Sequence, residues 1–239
     1  MHSSFFHAQR LGYRQNPFGA LEADEWTAVA FLPAPVEAAI NRGFNHLQLL
    51  GPKGIGKSST LHRLRSWAGK QSTVIHFEYI PDGQRKFFTD LNGECWFLLD
   101  EAQRLNGRFR RRWLAALEGV QASKTSNVRT IFTSHIDLTA AFQRHKLDLT
   151  SVDLRRAVNS AYYQRWIDQR LQFFALPQTP TRLGLTPEAA AWLFKTFGLD
   201  LREAEYFLYE VWQKEHAPGI LPLSRLIQHW ADYRQISNS

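Results

Sequence analysis

The chain has 239 residues, 44% of them hydrophobic and 21% charged, with a formal net charge of +7. That length can bury a real core, as one large domain or as a domain with a small companion, and no apolar run approaches the roughly 20 residues that a membrane-spanning helix needs. The single cysteine, Cys95, excludes an internal disulfide and any cysteine-built metal site, while the basic balance favours polyanions such as nucleic acid, nucleotide or anionic lipid.

The opening stretch, "MHSSFFHAQRLGYRQ", has neither the apolar core of a signal peptide nor a small-residue cleavage site, so a cytoplasmic location is expected. The first 35 residues read as irregular, with turn and cap signals in "NPFGALEADEW" and "FLPAPVE". "PVEAAINRGF" reads as a helix closed by Gly43, and "HLQLL" as a short strand. "KSSTLHRLRSWAG" is a helix by the spacing of Leu61, Leu64 and Trp67. "STVIHFEYI" is strand-like, "QRKFFTDL" a short helix, and "CWFLLD" an unbroken apolar strand of the kind buried on both faces of a parallel sheet. Helix "GRFRRRWLAALEGV", strand "VRTIFTS", helix "DLTAAFQRH" and a fifth strand in "LDLTSVDL" follow.

Past residue 155 only helices are expected, in "NSAYYQRWIDQRLQFFAL", "TPEAAAWLFKTFG", "LREAEYFLYEVWQKE" and "LPLSRLIQHWADYRQ". The expected organisation is therefore an α/β domain over 1–155, with residues 1–45 as its N-terminal segment, and a small all-helical domain over 156–239.

Between the first strand and its helix stands "GPKGIGKSS". Gly51, Gly56, Lys57 and Ser58 satisfy G-x-x-x-x-G-K-[ST], the P-loop. Glycines let the backbone curl around a phosphate, and the helix N-terminus behind them presents unpaired N–H groups and a positive dipole end. The lysine reaches the β- and γ-phosphates, and the Ser58 hydroxyl can hold Mg²⁺. The pattern arises by chance in about one chain of this length in a hundred, and a strand before it with a helix after it is the context the mechanism requires. The ATP-holding set is Gly51, Pro52, Lys53, Gly54, Ile55, Gly56, Lys57, Ser58 and Ser59.

The second element is "CWFLLDEAQRL". A carboxylate at the tip of a buried strand beside a P-loop, here Asp100, suits the water shell of Mg²⁺, the Walker B role. The next residue, Glu101, can accept a proton from an attacking water. No NKxD guanine-reading motif and no LSGGQ signature occur, which speaks against a GTPase and an ABC ATPase.

At "GPKGIGKSS … FLLDEAQRL … RTIFTSHIDL" the chain resembles an AAA+ ATPase, in look nearest the branch that holds the ExeA-type, TniB and MuB ATPases and the Cdc6/Orc initiators. The resemblance implies a P-loop parallel sheet flanked by helices with a small helical lid. It also implies adenine contacts from an "NPF" segment, here Asn16 and Phe18. It implies a sensor 1 residue at the tip of the fourth strand, where His135, with Ser134 before it, stands in place of the usual Asn or Gln. It implies an arginine finger, for which Arg144 is best placed and Arg155 and Arg156 are alternatives, and a sensor 2 arginine, Arg202 after Gly198. The helical domain is too short for a further winged helix, which counts against an initiator.

"QRLNGRFRRRWLAAL" gathers Arg104, Arg108, Arg110, Arg111 and Arg112. At helical spacing Arg108, Arg111 and Arg112 share one face, while Phe109, Trp113 and Leu117 pack inward. Such a face is either simply solvated or a sequence-independent contact to a phosphate backbone. Most of the eight tryptophans sit beside other apolar residues at helical spacing and read as core.

Three functions fit: an ATPase acting on duplex DNA or a DNA-bound complex, a motor or assembly factor for a protein partner, and a non-hydrolysing ATP switch. A finger supplied to a neighbour implies self-association into a ring or filament.

Overall fold

The computed structural model describes residues 7–70, 74–83, 94–123 and 127–237; the expected helix "QRKFFTDL" lies outside them. The chain forms two compact units, one of residues 31–157 and one that joins residues 1–30 to 158–239.

The 31–157 unit is built on a five-stranded parallel sheet of order β2-β3-β4-β1-β5. The strands are β1 (His46–Leu50), β2 (Val74–Tyr79), β3 (Glu94–Asp100), β4 (Asn127–Ser134) and β5 (Leu149–Asp153). The unbroken apolar run of β3 lies inside the sheet, between β2 and β4, and Cys95 to Asp100 are all buried, as two covered faces require. At the edge, β2 leaves Val74 and Tyr79 half exposed.

Helix α3 (Lys57–Gly69) follows β1, and helix α4 (Gly107–Ala122) follows β3. The short helix α5 (Thr139–Arg144) comes after β4. The N-cap of α4 is Asn106, whose side-chain oxygen accepts from the N–H groups of Arg108 and Phe109. Its apolar stripe, Trp113, Leu114 and Leu117, packs with Phe97, Phe132 and Phe142 into the core. The Trp113 ring meets Phe132 and Phe142 edge-on, at 5.3 and 5.6 Å between centroids. Helix α2 (Ala34–Arg42) precedes the sheet.

The other unit carries α1 (Ala23–Val29), α6 (Ser160–Phe174), α7 (Pro187–Phe197), α8 (Leu201–Lys214) and α9 (Leu223–Ser237). It departs from the sequence expectation in two ways. It is not all helical, because β6 (Leu183–Leu185) and β7 (Gly219–Leu221) pair in parallel. Three-residue strands are too short for periodicity to reveal.

Moreover, residues 1–30 belong to this unit and not to the α/β domain where the sequence reading placed them. Backbone hydrogen bonds are the physical reason: Leu183 N–H to Leu11, Leu176 N–H to Gly12 and Arg14 N–H to Phe174, at 2.9–3.0 Å. Helix α1 packs on α6.

Candidate nucleotide site

Strands β1, β3 and β4 end together, and their C-terminal tips carry the loops that matter. β1 and β4 pair in parallel from His46–Thr130 to Leu50–Ser134, and the Gly51 N–H continues that ladder to the Ser134 carbonyl at 3.2 Å. The P-loop therefore leaves the sheet beside the tip of β4, where His135 stands.

Two backbone positions of the loop need glycine. Gly54 and Gly56 have φ of 87° and 90°, in the left-handed region that a Cβ disfavours. Gly51 is constrained differently: a Cβ there would meet Cγ2 of the buried Ile55 at 3.0 Å. Gly56 is the N-cap of α3, so the first N–H groups of that helix face the inside of the loop, with Ser58 and Ser59 in the first turn. Lys57 is buried, and its ammonium donates to the carbonyls of Gly51 and Pro52 at 2.9 and 2.8 Å. Pro52 and Lys53 are exposed.

Across from the loop, Asp100 ends β3 with 4% of its surface exposed. Its Oδ1 accepts from the Thr133 hydroxyl at 2.5 Å, and the same hydroxyl oxygen accepts from the Glu101 N–H at 2.9 Å. Thr133 thus fastens the acidic pair to β4. Glu101 sits at φ 64°, ψ 41°, a left-handed conformation that costs a non-glycine residue roughly 1–2 kcal/mol. Glu101 Oε2 accepts from Gln103 Nε2 at 2.6 Å and lies 3.3 Å from Arg104 Nε. Gln103 Oε1 in turn accepts from the His135 N–H at 3.3 Å.

His135 stands between the lysine and the glutamate. Its Nδ1 is 3.5 Å from Lys57 Nζ, and its Nε2 is 3.5 Å from Glu101 Oε2. Burial, and next the Lys57 ammonium, hold its pKa below the ordinary histidine value. A neutral ring in that position accepts at Nδ1 and carries its proton on Nε2, toward the carboxylate. The segment after His135 is held by Gln48 of β1, whose Nε2 donates to the Ile136 carbonyl at 2.6 Å and whose Oε1 accepts from the Leu138 N–H at 3.2 Å.

The structure thus brings Lys57, Glu101 and His135 together, with Asp100 fastened beside Glu101. It also shows three contributors that the sequence reading did not assign: Thr133, Gln103 and Gln48. Thr133 carried a readable signal, being a polar residue inside the apolar run "TIFTS" of a strand expected to be buried.

The remaining sequence candidates have contacts of their own. Phe18 is 2% exposed, and its ring meets those of Trp166 and Trp212 at 5.8 and 4.8 Å within the helical unit. Asn16 donates to the Tyr209 carbonyl at 3.0 Å and accepts from the Phe18 N–H, so the "NPF" turn is an anchor of that unit. Arg155 is held by Asp153 through both Nε and Nη, at 2.7–3.0 Å, which keeps the Asp153 carboxyl below its usual range and commits the guanidinium locally.

Arg144, at the end of α5, lines a cavity with Arg110 and Arg111. Arg202 opens α8 as an exposed residue, after the N-cap Asp200. The arginine run divides. Arg104 donates to the Tyr79 hydroxyl and the Ile80 carbonyl and pairs with Asp82, each at 2.9 Å. Arg110 donates to the carbonyls of Gln103 and Leu105. Arg108, Arg111 and Arg112 are exposed along α4.

The donor set fits Mg²⁺. That ion keeps several waters and takes one or two carboxylates together with substrate phosphate oxygens, and here one buried carboxylate and one helix-start hydroxyl are available. Among the described residues no cluster of three or more His, Cys, Asp or Glu side chains offers an all-protein metal cage.

No protein-family model and no curated protein matches the chain. Solved structures do. Two variants of Thermotoga maritima RuvB superimpose with a TM-score of 0.51 and 16% identity over 81% of this chain and 64% of theirs. This chain therefore spans just under two thirds of the RuvB chains. Domain III of the Thermotoga maritima replication initiation protein DnaA superimposes with a TM-score of 0.53 and 14% identity, over 90% of this chain and 98% of that one.

Proposed function

The chain has the AAA+ P-loop fold of RuvB and DnaA domain III, and from it we propose an ATPase that acts on duplex DNA or a DNA-bound complex. The observation that carries the ATPase reading is Lys57 and Glu101 meeting through His135, next to the buried Asp100. In this reading the N–H groups of the loop from Gly51 to Ser58 wrap the phosphates of ATP. Lys57 exchanges its hold on the loop carbonyls for phosphate oxygens, keeping the charge it already carries in a buried position. Ser58 and Asp100 hold Mg²⁺, which when bound neutralises charge on the β- and γ-phosphate oxygens.

Glu101 takes the proton of the attacking water at its carboxylate. His135 serves as sensor 1 by joining that carboxylate to the lysine at the phosphate. Arg202 as sensor 2 and Arg144 as a finger for a neighbouring subunit complete the scheme, with self-association in the ATP state. Arg108, Arg111 and Arg112 meet the DNA backbone. Their common exposed face, the net charge of +7 and the DnaA likeness support that part. Residence in the ExeA/TniB/MuB-like branch and in the cytoplasm belongs to the same proposal.

One observation favours the switch reading. Glu101 Oε2 is already engaged by Gln103 and Arg104, and such donors weaken a carboxylate as a base. Turnover by the protein and by Glu101→Gln, with and without duplex DNA at low and high salt, tests both readings. The ATPase reading expects Glu101-dependent turnover that rises with DNA only at low salt. Equal, negligible turnover with retained ATP binding establishes the switch instead.

A further inference from the structure

Away from the nucleotide loop, a cavity of about 430 Å³ lies between α4 and the segment from Ile136 to His145. Leu114, Leu138, Ala140 and Ala141 give it apolar walls, and Ile136 adds a side chain left 46% exposed. Arg110, Arg111 and Arg144 bring positive charge to the same space.

Little in the cavity offsets that charge. Its carboxylate, Asp137, is turned to Thr139, accepting from the N–H and hydroxyl of that residue at 2.9 and 2.6 Å. His145 is paired with Glu118 at 3.0 Å. Arg110 spends one nitrogen on backbone carbonyls, and its buried Nε has no hydrogen-bond partner among the described residues. The Arg144 guanidinium has no partner among the described residues.

We propose that this cavity, in a protomer outside the ATP-state assembly, docks an acidic segment of a partner protein, with a leucine- or phenylalanine-sized side chain against Leu114 and Ala141 and an adjacent Asp or Glu on Arg144 and Arg110, so that Arg144 serves either this partner or a neighbouring subunit. The volume lies within the range of about 300–1,000 Å³ that binds ligands and side chains in clefts. Phosphate-backbone contacts need charge but no apolar wall, so the mixed lining suits a peptide better than nucleic acid. An acidic partner brings charge complementarity to a basic cavity.

Docking here would be felt at the nucleotide. Arg110 donates to the carbonyl of Gln103, whose side chain holds Glu101 and the His135 N–H. The Ile136 carbonyl is tied to Gln48 and to the Ser134 hydroxyl.

A random twelve-residue peptide display library panned on the whole protein, with counter-selection on Ala140→Trp to fill the cavity, tests this. Circular dichroism first confirms that the variant is folded; if it is not, Ala140→Glu replaces it. The expected result is enrichment of peptides pairing Asp or Glu with Leu or Phe. One such synthetic peptide should bind at least tenfold more weakly to the filled variant and to Arg144→Glu by fluorescence anisotropy. No enrichment on the open cavity, or enriched peptides without acid, overturns the proposal. So does a filled variant that loses duplex DNA binding, which makes the face a nucleic-acid site, or ATP-dependent self-association, which makes it an interface between copies.

Discussion

Thr133→Val tests how the acidic pair is held. The substitution keeps the shape of a fully buried side chain and removes one oxygen. That oxygen makes two bonds, donating to Asp100 Oδ1 at 2.5 Å and accepting from the Glu101 N–H at 2.9 Å. A hydrogen bond to a charged group contributes about 1.5–3 kcal/mol, and a buried N–H left unpaired costs about 1–3 kcal/mol. Burying a methyl in place of a hydroxyl returns about 1 kcal/mol, so the net loss is about 3 kcal/mol. At a urea m-value of roughly 2–3 kcal/mol/M, the unfolding midpoint of the 31–157 unit should fall by about 1–1.5 M.

The same bond helps keep Glu101 left-handed. Without it the backbone gains about 1–2 kcal/mol by returning to the right-handed region and carries the carboxylate away, so ATP turnover should fall about tenfold or more. Tryptophan fluorescence in urea and a phosphate-release assay read the two effects, with Thr133→Ser as the control that keeps both bonds. Thr133→Val matching Thr133→Ser in midpoint and turnover would refute the reasoning.

Burial lowers the pKa of His46 on β1 to about 4, against a smaller opposing pull from Asp148. The unfolded chain therefore binds the extra proton first. The stability that the neutral ring contributes is complete above about pH 6.5 and is lost as pH falls toward 4, about 3 kcal/mol in all. His46→Leu should remove that part of the acid-side slope in denaturation curves taken between those pH values, and parallel slopes would count against it. In the helical unit, Arg170 is 2% exposed, donates to the Pro17 carbonyl at 2.9 Å and pairs with Glu205 at 2.7 Å. Arg170→Met should cost about 3–5 kcal/mol by stranding Glu205, and Arg170→Met with Glu205→Leu should recover much of it; an additive double variant would argue against a coupled pair. If Arg108, Arg111 and Arg112 each neutralise one phosphate, duplex affinity should fall about 40-fold between 50 and 200 mM salt, from a slope of about −0.9 per contact. Replacing all three by glutamine should remove that slope in a salt titration, and an unchanged slope would move the DNA contact elsewhere.

Much of the α/β unit was legible because its signals are local. The unbroken apolar run "CWFLLD" specifies a strand covered on both faces, and G-x-x-x-x-G-K-S specifies a loop whose shape depends on its own glycines. Thr133, Gln103 and Gln48 matter through pairing across strands and between loops, which a single sequence does not display. The surroundings of Phe18 were hidden for the same reason, since Trp166 and Trp212, which close around it, lie far along the chain. The place of His135 at a strand tip is legible in the sequence, while its lowered pKa comes from burial beside Lys57, a property of the assembled site.

The α/β unit is an insertion within the helical unit, since residues 31–157 interrupt it. During synthesis the segment carrying Leu11, Phe18 and α1 emerges about ten seconds before α6 is available to receive it, at roughly 5–20 residues per second. The P-loop unit is then complete while its companion is still missing most of its core. A fragment cut at residue 156 to isolate the helices would lack Phe18 and expose the Trp166 and Trp212 faces, so it should aggregate. Splicing residues 1–30 directly to 158–239 is the route to a helical unit that folds alone.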